Sequence, residues 1–193
     1  MRTCWVLDHP AHVRLLAPFL RSSNNNDVII ATNRKEVKHM IEQGDGHIPR
    51  RQIHWVERPV GKQKRRKALS RWRSSHKFLA ECCNTGQPIS RIIVIGAALE
   101  LMAWCSPILK RPIRSISHRY YISDTEVNHT AHNLALKSAT NIIIPNHWDE
   151  NLDGGFLQKA STKSITVSQL DGLHGHIHLT PGVHPTTVSS PPR

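Results

Sequence analysis

The sequence predicts an α/β fold, a Rossmann-like doubly wound parallel sheet, on three observations. Short, nearly unbroken apolar runs recur along the chain: DVIIAT at 27–32, RIIVIG at 91–96 and NIIIP at 141–145. Strands apolar on both faces belong to a parallel sheet covered on both sides. Segments with helical apolar spacing separate these runs, and capping residues open several of them, so crossover helices join the strands. Right-handed crossovers then wind the chain onto both faces of one sheet.

Each element follows in order. Residues 3–7 (TCWVL) form a buried strand. Asp8, His9 and Pro10 come next, and Pro10 suits the first turn of a helix with Val13, Leu16, Phe19 and Leu20 inside. Asp8 is expected to cap that helix. The second strand, 27–32, leads to Asn33-x-x-Glu36, a capping pattern before Val37, Met40 and Ile41. A weak strand is predicted over 52–56. A helix follows with Leu69, Trp72, His76, Leu79 and Cys83 on one stripe. Residues 91–96 form the clearest central strand and 97–104 its helix. A fifth strand is predicted at 113–117 and a sixth at 141–145. Between them 125–139 reads as a helix with Val127, Ala131, Leu134 and Ser138 inside. The core is expected to include Trp72, Leu79, Ile93, Val94, Leu134 and Ile143.

The Rossmann-like domain is expected over 1–150. Residues 151–180 read as a partly ordered connector, with SITVS at 164–168 as one more candidate strand. Residues 181–193, rich in Pro, Thr and Ser, read as a disordered tail.

Composition bounds the function. The 193 residues include 26 Lys+Arg and 14 Asp+Glu, a net charge of +12, with 38% hydrophobic residues, which is globular rather than disordered. No apolar run approaches the roughly 18 residues of a membrane helix. The first apolar stretch breaks at Asp8, too soon for a secretory signal, so the cytoplasm is the expected location. Four cysteines, at 4, 82, 83 and 105, lack metal spacing and are expected to be reduced and mostly buried.

The excess charge is local. Residues 50–77 hold eleven Lys/Arg and one acidic residue, Glu57. Lys62, Lys64, Arg65, Arg66, Lys67, Arg71 and Arg73 are expected to form a cationic ridge for an anionic surface partner. No specific nucleic-acid motif accompanies them.

Ligands of doubly wound sheets sit outside the carboxyl ends of the strands. That rule nominates Asp8 and His12; Thr32, Asn33 and Arg34; Gly96 and Glu100; residues 118–126; and Asn146, His147 and Trp148. Among these, His12 near a helix N-terminus can bond a hydroxyl or phosphate. The helix start after Pro10 is expected to offer free N–H groups to an anion. Asp124 and Glu126 are paired carboxylates, and Ser123-x-x-Glu126 also reads as a capping box. His118, Arg119, Tyr120 and Tyr121 are expected at the same mouth. No G-x-G-x-x-G follows the first strand and no Walker loop is present, so no cofactor is assigned. His174, His176 and His178 alternate, with only Asp171 beside them to complete a ligand set, and no metal is assigned. Asn128-His129-Thr130 matches a glycosylation acceptor, which carries no meaning without a secretory signal.

Together DHPAHVRLLAPFL, DVIIATNR, RPIRSI and SDTEVNHTAHNLALKSATNIIIP resemble the DUF354 family over about residues 1–150. That family is similar to glycosyltransferase-B proteins and to the non-hydrolysing UDP-N-acetylglucosamine 2-epimerases. The resemblance implies the N-terminal half of a two-domain clamshell, with a sugar or nucleotide-sugar ligand in its cleft. Its ligand-binding candidates are Asp8, His12, Asp124 and Glu126, and no catalytic residue is assigned. Members of the family run to about twice this length, so the nucleotide-sugar half is expected to be missing, with no robust glycosyl transfer by this chain alone. The alternatives are a non-catalytic module using a basic helix over 62–83 to contact an anionic partner, or a gene fragment.

Overall fold

The structure, a computed structural model, describes residues 1–42, 52–84, 87–96, 99–103 and 115–170. Among the described residues seven strands form one sheet: β1 (Arg2–Leu7), β2 (Val28–Thr32), β3 (Gln52–Val56), β4 (Ile89–Ile95), β5 (His118–Ile122), β6 (Asn141–Pro145) and β7 (Thr166–Leu170). Their order is β3-β2-β1-β4-β5-β6-β7, and every pairing is parallel. The chain reverses its winding between β1 and β4. There the connections leave the sheet in opposite directions and open a crevice at the carboxyl ends.

Among the described residues five α-helices cover the sheet: α1 (Pro10–Ser22), α2 (Lys35–Glu42), α3 (Lys64–Cys83), α4 (His129–Ser138) and α5 (Phe156–Thr162). Alternation along the strands supplies both cores. Trp5, Leu7, Ile29 and Ala31 pack with Val13, Leu16 and Leu20 of α1 and Val37 and Ile41 of α2. Cys4, Val6, Val28 and Ile30 pack with Phe78 and Leu79 of α3, Ala135 of α4 and Phe156 of α5. Each large aliphatic side chain buried this way contributes about 1.5–3 kcal/mol.

Coverage is unequal. Trp72, Leu79 and Val94 are buried as expected, but Ile93, Ile143 and Leu134 are only half-buried. Ile93 and Ile143 border the core under α1 and α2, which serve mainly the β3-β2-β1 half of the sheet. Leu134 lies at the margin of the opposite core.

The boundaries need several corrections. The fifth strand is His118–Ile122, not 113–117, of which 113 and 114 lie outside the described residues. Arg119 hid it. This cation is buried inside the strand because it donates to the carbonyls of Ile116 and Ser138. Of the helix expected over 97–104, residues 97, 98 and 104 lie outside the described residues, and Glu100–Ala103 form a 3₁₀ turn. α4 starts at His129 rather than at 125, and Val127 is exposed. The sheet also continues beyond residue 150. There α5 packs Phe156 and Ala160 into the core and β7 pairs with β6. Asp153 secures α5, accepting from the backbone N–H groups of Gly155, Phe156 and Leu157.

Cys4 and Cys82 are buried and Cys83 is half-buried, all free thiols; Cys105 lies outside the described residues. The His174, His176 and His178 set, Asp171 and the 181–193 tail also lie outside them. Among the described residues no helix is long and apolar enough to cross a membrane.

Candidate functional site

The crevice between the ends of β1, β4 and β5 brings together residues distant in sequence. Gly96 follows β4 directly, and its φ of +64° is a left-handed conformation that suits glycine. Its N–H donates to the carbonyl of Ile122 at 3.0 Å, and its carbonyl accepts from Asn128 Nδ2 at 3.2 Å. A Cβ placed on Gly96 would lie 3.7 Å from Asp124 Oδ1 and 3.9 Å from both Cε1 and Nε2 of His12. His12, from α1, and Asp124, after β5, thus flank one glycine with no side chain of its own. His12 is half-buried and Asp124 exposed, so the place opens to solvent.

The other two carboxylates expected here do different work. Asp8 does not cap α1. His9 is the N-cap, its Nδ1 accepting from Ala11 N–H at 3.2 Å. The Asp8 carboxylate instead accepts from Arg71 Nη1 at 2.6 Å, and its carbonyl accepts from Thr32 Oγ1. Glu126 is not in the helix cap either. Asn128 caps α4, accepting from Ala131 N–H, while Glu126 Oε1 accepts from Asp149 N–H at 3.3 Å in the loop after β6. The capping box fails because the N-cap of α4 is Asn128, five residues beyond Ser123.

The anion site expected at the start of α1 is closed. Pro10 has no N–H, Ala11 N–H is held by His9, and the N–H groups of His12 and Val13 donate to the His9 carbonyl. What remains is the His12 ring, Asp124 and bare backbone at Gly96. A carboxylate accepts from hydroxyls, an imidazole donates or accepts according to its tautomer, and a glycine lets a ligand ring approach the sheet end.

Beneath the crevice lies a buried ionic network. Arg71, with a side chain 1% exposed, donates from Nε to Glu100 Oε1 at 2.7 Å and from Nη2 to Oε2 at 3.2 Å. Ser75 Oγ reaches the same carboxylate at 3.3 Å. Burial opposes the charge on Arg71, but Glu100 and Asp8 outweigh burial and hold its pKa above the usual arginine value. Arg71 therefore does not belong to the cationic ridge. It ties α3 to the end of β1 and to the 3₁₀ turn. Lys62, Lys64, Arg65, Arg66 and Arg73 are exposed and Lys67 half-buried, and none has an ion-pair partner among the described residues.

Residues 118–121 do not line the mouth. They run up β5 from its amino end, so His118 lies at the far edge. Arg91 stands over the Tyr120 ring at 5.8 Å. Tyr121 is fully buried, and burial pushes its hydroxyl pKa up. Behind Ser123 sits His132, its Nε2 2.9 Å from Ser123 Oγ and its ring stacked on Phe156 at 4.1 Å. Burial lowers the pKa of His132 and favours its neutral form. A hollow of about 400 Å³ lies at the opposite, amino end of the strands, lined by Arg2, Asn26, Asp27, Gln52 and Gln87. It is large but shares no residue with the crevice. Arg2 there is occupied by the carbonyls of Asn26, Cys82 and Gln87.

No protein-family model and no curated protein matches the chain. Its function is therefore argued from its own residues.

Sequence reasoning missed three roles. Gly96 was nominated only as a strand end, Glu100 only by position, and Asn128 only as a glycosylation acceptor. The signal for Asn128 was available: Asn is a strong cap, and HTAHNLAL follows it at once. Nothing in the sequence marked Arg71 as buried, because five cations precede it.

Proposed function

We propose that this chain is a sugar-binding Rossmann-like domain, of the kind that forms the N-terminal half of glycosyltransferase-B-like proteins. Its ligand, a sugar or nucleotide sugar, sits over Gly96 between His12 and Asp124. One observation carries this reading: at the β1/β4 reversal, where doubly wound sheets hold ligands, an imidazole and a carboxylate converge on a positive-φ glycine. Asp124 accepts from ring hydroxyls and His12 supplies a second hydrogen bond. Asp8 contributes by fixing, through Arg71, the end of β1 from which the chain enters α1 and reaches His12.

The closure of the α1 N-terminus weighs the contacts toward hydroxyls rather than phosphate. Isothermal titration with UDP- and GDP-sugars, run beside the free sugars, tests this. The reading expects binding by at least one sugar-bearing ligand. It also expects Asp124→Ala to weaken that ligand by about 5–150-fold, the loss of one charge-assisted hydrogen bond. No heat from any member of the panel refutes it.

A further inference from the structure

Most of the first two turns of α3 is exposed, with Lys67 and Ala68 half-buried. Residues 61–66 are all exposed, Leu69 and Ser70 are exposed again, and full burial starts only at Arg71 and Trp72. Lys62, Lys64, Arg65, Arg66 and Lys67 occupy this stretch, and Arg73 follows a turn later. Helix stability gains nothing from them. Four consecutive cations at a helix N-terminus oppose its dipole, and cations spaced three or four apart repel. The first turn has no acidic residue, and Gln63 makes no side-chain cap hydrogen bond. A local arrangement that works against its own helix points to a partner.

The apolar residues identify the partner. Val60, 49% exposed, and Leu69, 37% exposed, are among the few exposed large hydrophobic side chains of the described residues. On α3, Leu69 shares a face with Arg65, Arg66 and Arg73, at three and four residues' distance. An aliphatic side chain ringed by guanidinium groups fits a bilayer interface, where cations meet anionic headgroups and aliphatic groups enter the acyl boundary. A single-stranded nucleic-acid platform needs exposed aromatic rings for stacking, and the one aromatic on this part of the helix, Trp72, is buried.

We propose that Val60 and the N-terminal half of α3 form a docking surface for an anionic lipid bilayer. Arg71 of the same helix reaches Asp8 at the carboxyl end of β1, so residues 62–67 lie at the crevice end of the sheet. A docked bilayer lies at that end of the molecule. The proposal does not depend on which ligand the crevice takes.

Co-sedimentation of the full chain with phosphatidylcholine vesicles, with and without about 30% phosphatidylglycerol at about 0.1 M salt, tests it. A fluorescent single-stranded RNA in the same buffer is the second arm. Binding to the anionic vesicles only, released by high salt, is expected. The triple variant Lys64→Gln, Arg65→Gln, Arg66→Gln should bind about 100-fold more weakly, and Leu69→Ser several-fold more weakly. The triple variant should melt no lower than the parent, since it removes cations that oppose the helix dipole, and Leu69→Ser should melt within a few degrees of it, since Leu69 is exposed. The proposal is overturned if the chain stays in the supernatant with anionic vesicles, or if the triple variant partitions like the parent. It is also overturned if Leu69→Ser partitions like the parent, or if the single-stranded RNA is bound more tightly than the vesicles.

Discussion

Replacing Arg71 with Met tests whether the buried network organises the crevice. The aliphatic part of the side chain is kept, and the guanidinium is lost. Glu100 is fully buried and receives two hydrogen bonds from Arg71 and one from Ser75. Without Arg71 the one partner its carboxylate keeps among the described residues is the Ser75 hydroxyl. Breaking a buried ion pair by removing one partner costs about 3–5 kcal/mol, because the remaining charge is uncompensated. At about 2–4 °C per kcal/mol for a chain of this size, the melting temperature should fall by about 6–20 °C. Glu100→Gln is gentler, about 1–3 kcal/mol, since the guanidinium keeps its 2.6 Å contact with Asp8. The double variant Arg71→Met, Glu100→Gln should cost clearly less than the two single changes added, because neither leaves the other's charge stranded. Urea unfolding of the four proteins measures this. An Arg71→Met change below about 1 kcal/mol, or strict additivity, refutes the coupling.

Three further outcomes follow from the same geometry. Gly96→Ala should destabilise by about 1–2 kcal/mol from its positive φ alone, since its Cβ contacts at 3.7–3.9 Å are ordinary; its methyl should also weaken any ligand between His12 and Asp124, read by thermal melts and titration calorimetry. Asn128→Ala should cost about 1 kcal/mol by removing the α4 cap, whereas Glu126→Ala should stay within about 0.5 kcal/mol, and urea midpoints order the two. Stability should decline with pH below the ordinary histidine range. Burial lowers the pKa of His132 and of His54, so the unfolded chain takes up protons that the folded chain refuses. That contribution is present above about 6.5 and is lost as pH falls from there toward the folded values. Urea midpoints at pH 7.5 and 5.5 check the slope, and His132→Gln should flatten it.

The sheet was legible because its central strands are apolar on both faces and bounded by Gly, Pro and capping residues. β1, β2, β4 and β6 show this directly. β5 was misplaced because HRYYI opens with a histidine and a buried arginine, and only the tertiary partners of Arg119 explain why a cation fits there. The crevice was legible as a rim and not as a set of contacts. Topology predicted that the ends of β1 and β5 share an edge, and His12 and Asp124 do meet across Gly96. Local pattern misassigned Asp8 and Glu126, because both sit where a cap is plausible and a neighbour one or two residues on takes the role. Long-range pairing decided Arg71. Its partners Asp8 and Glu100 are 63 and 29 residues away, beyond any local signal.

The central claim is that a sugar-bearing ligand occupies the space between His12, Gly96 and Asp124. Amide chemical shifts of the isotope-labelled chain, followed while a UDP-sugar is titrated in, test it most directly. The account predicts saturable shifts centred on the amides of His12, Gly96 and Asp124. It also predicts that His12→Ala raises the dissociation constant by about 5–150-fold at an unchanged melting temperature. Shifts confined to residues 62–73 or to the hollow at Arg2, or a His12→Ala protein that binds as well as the parent, contradict it.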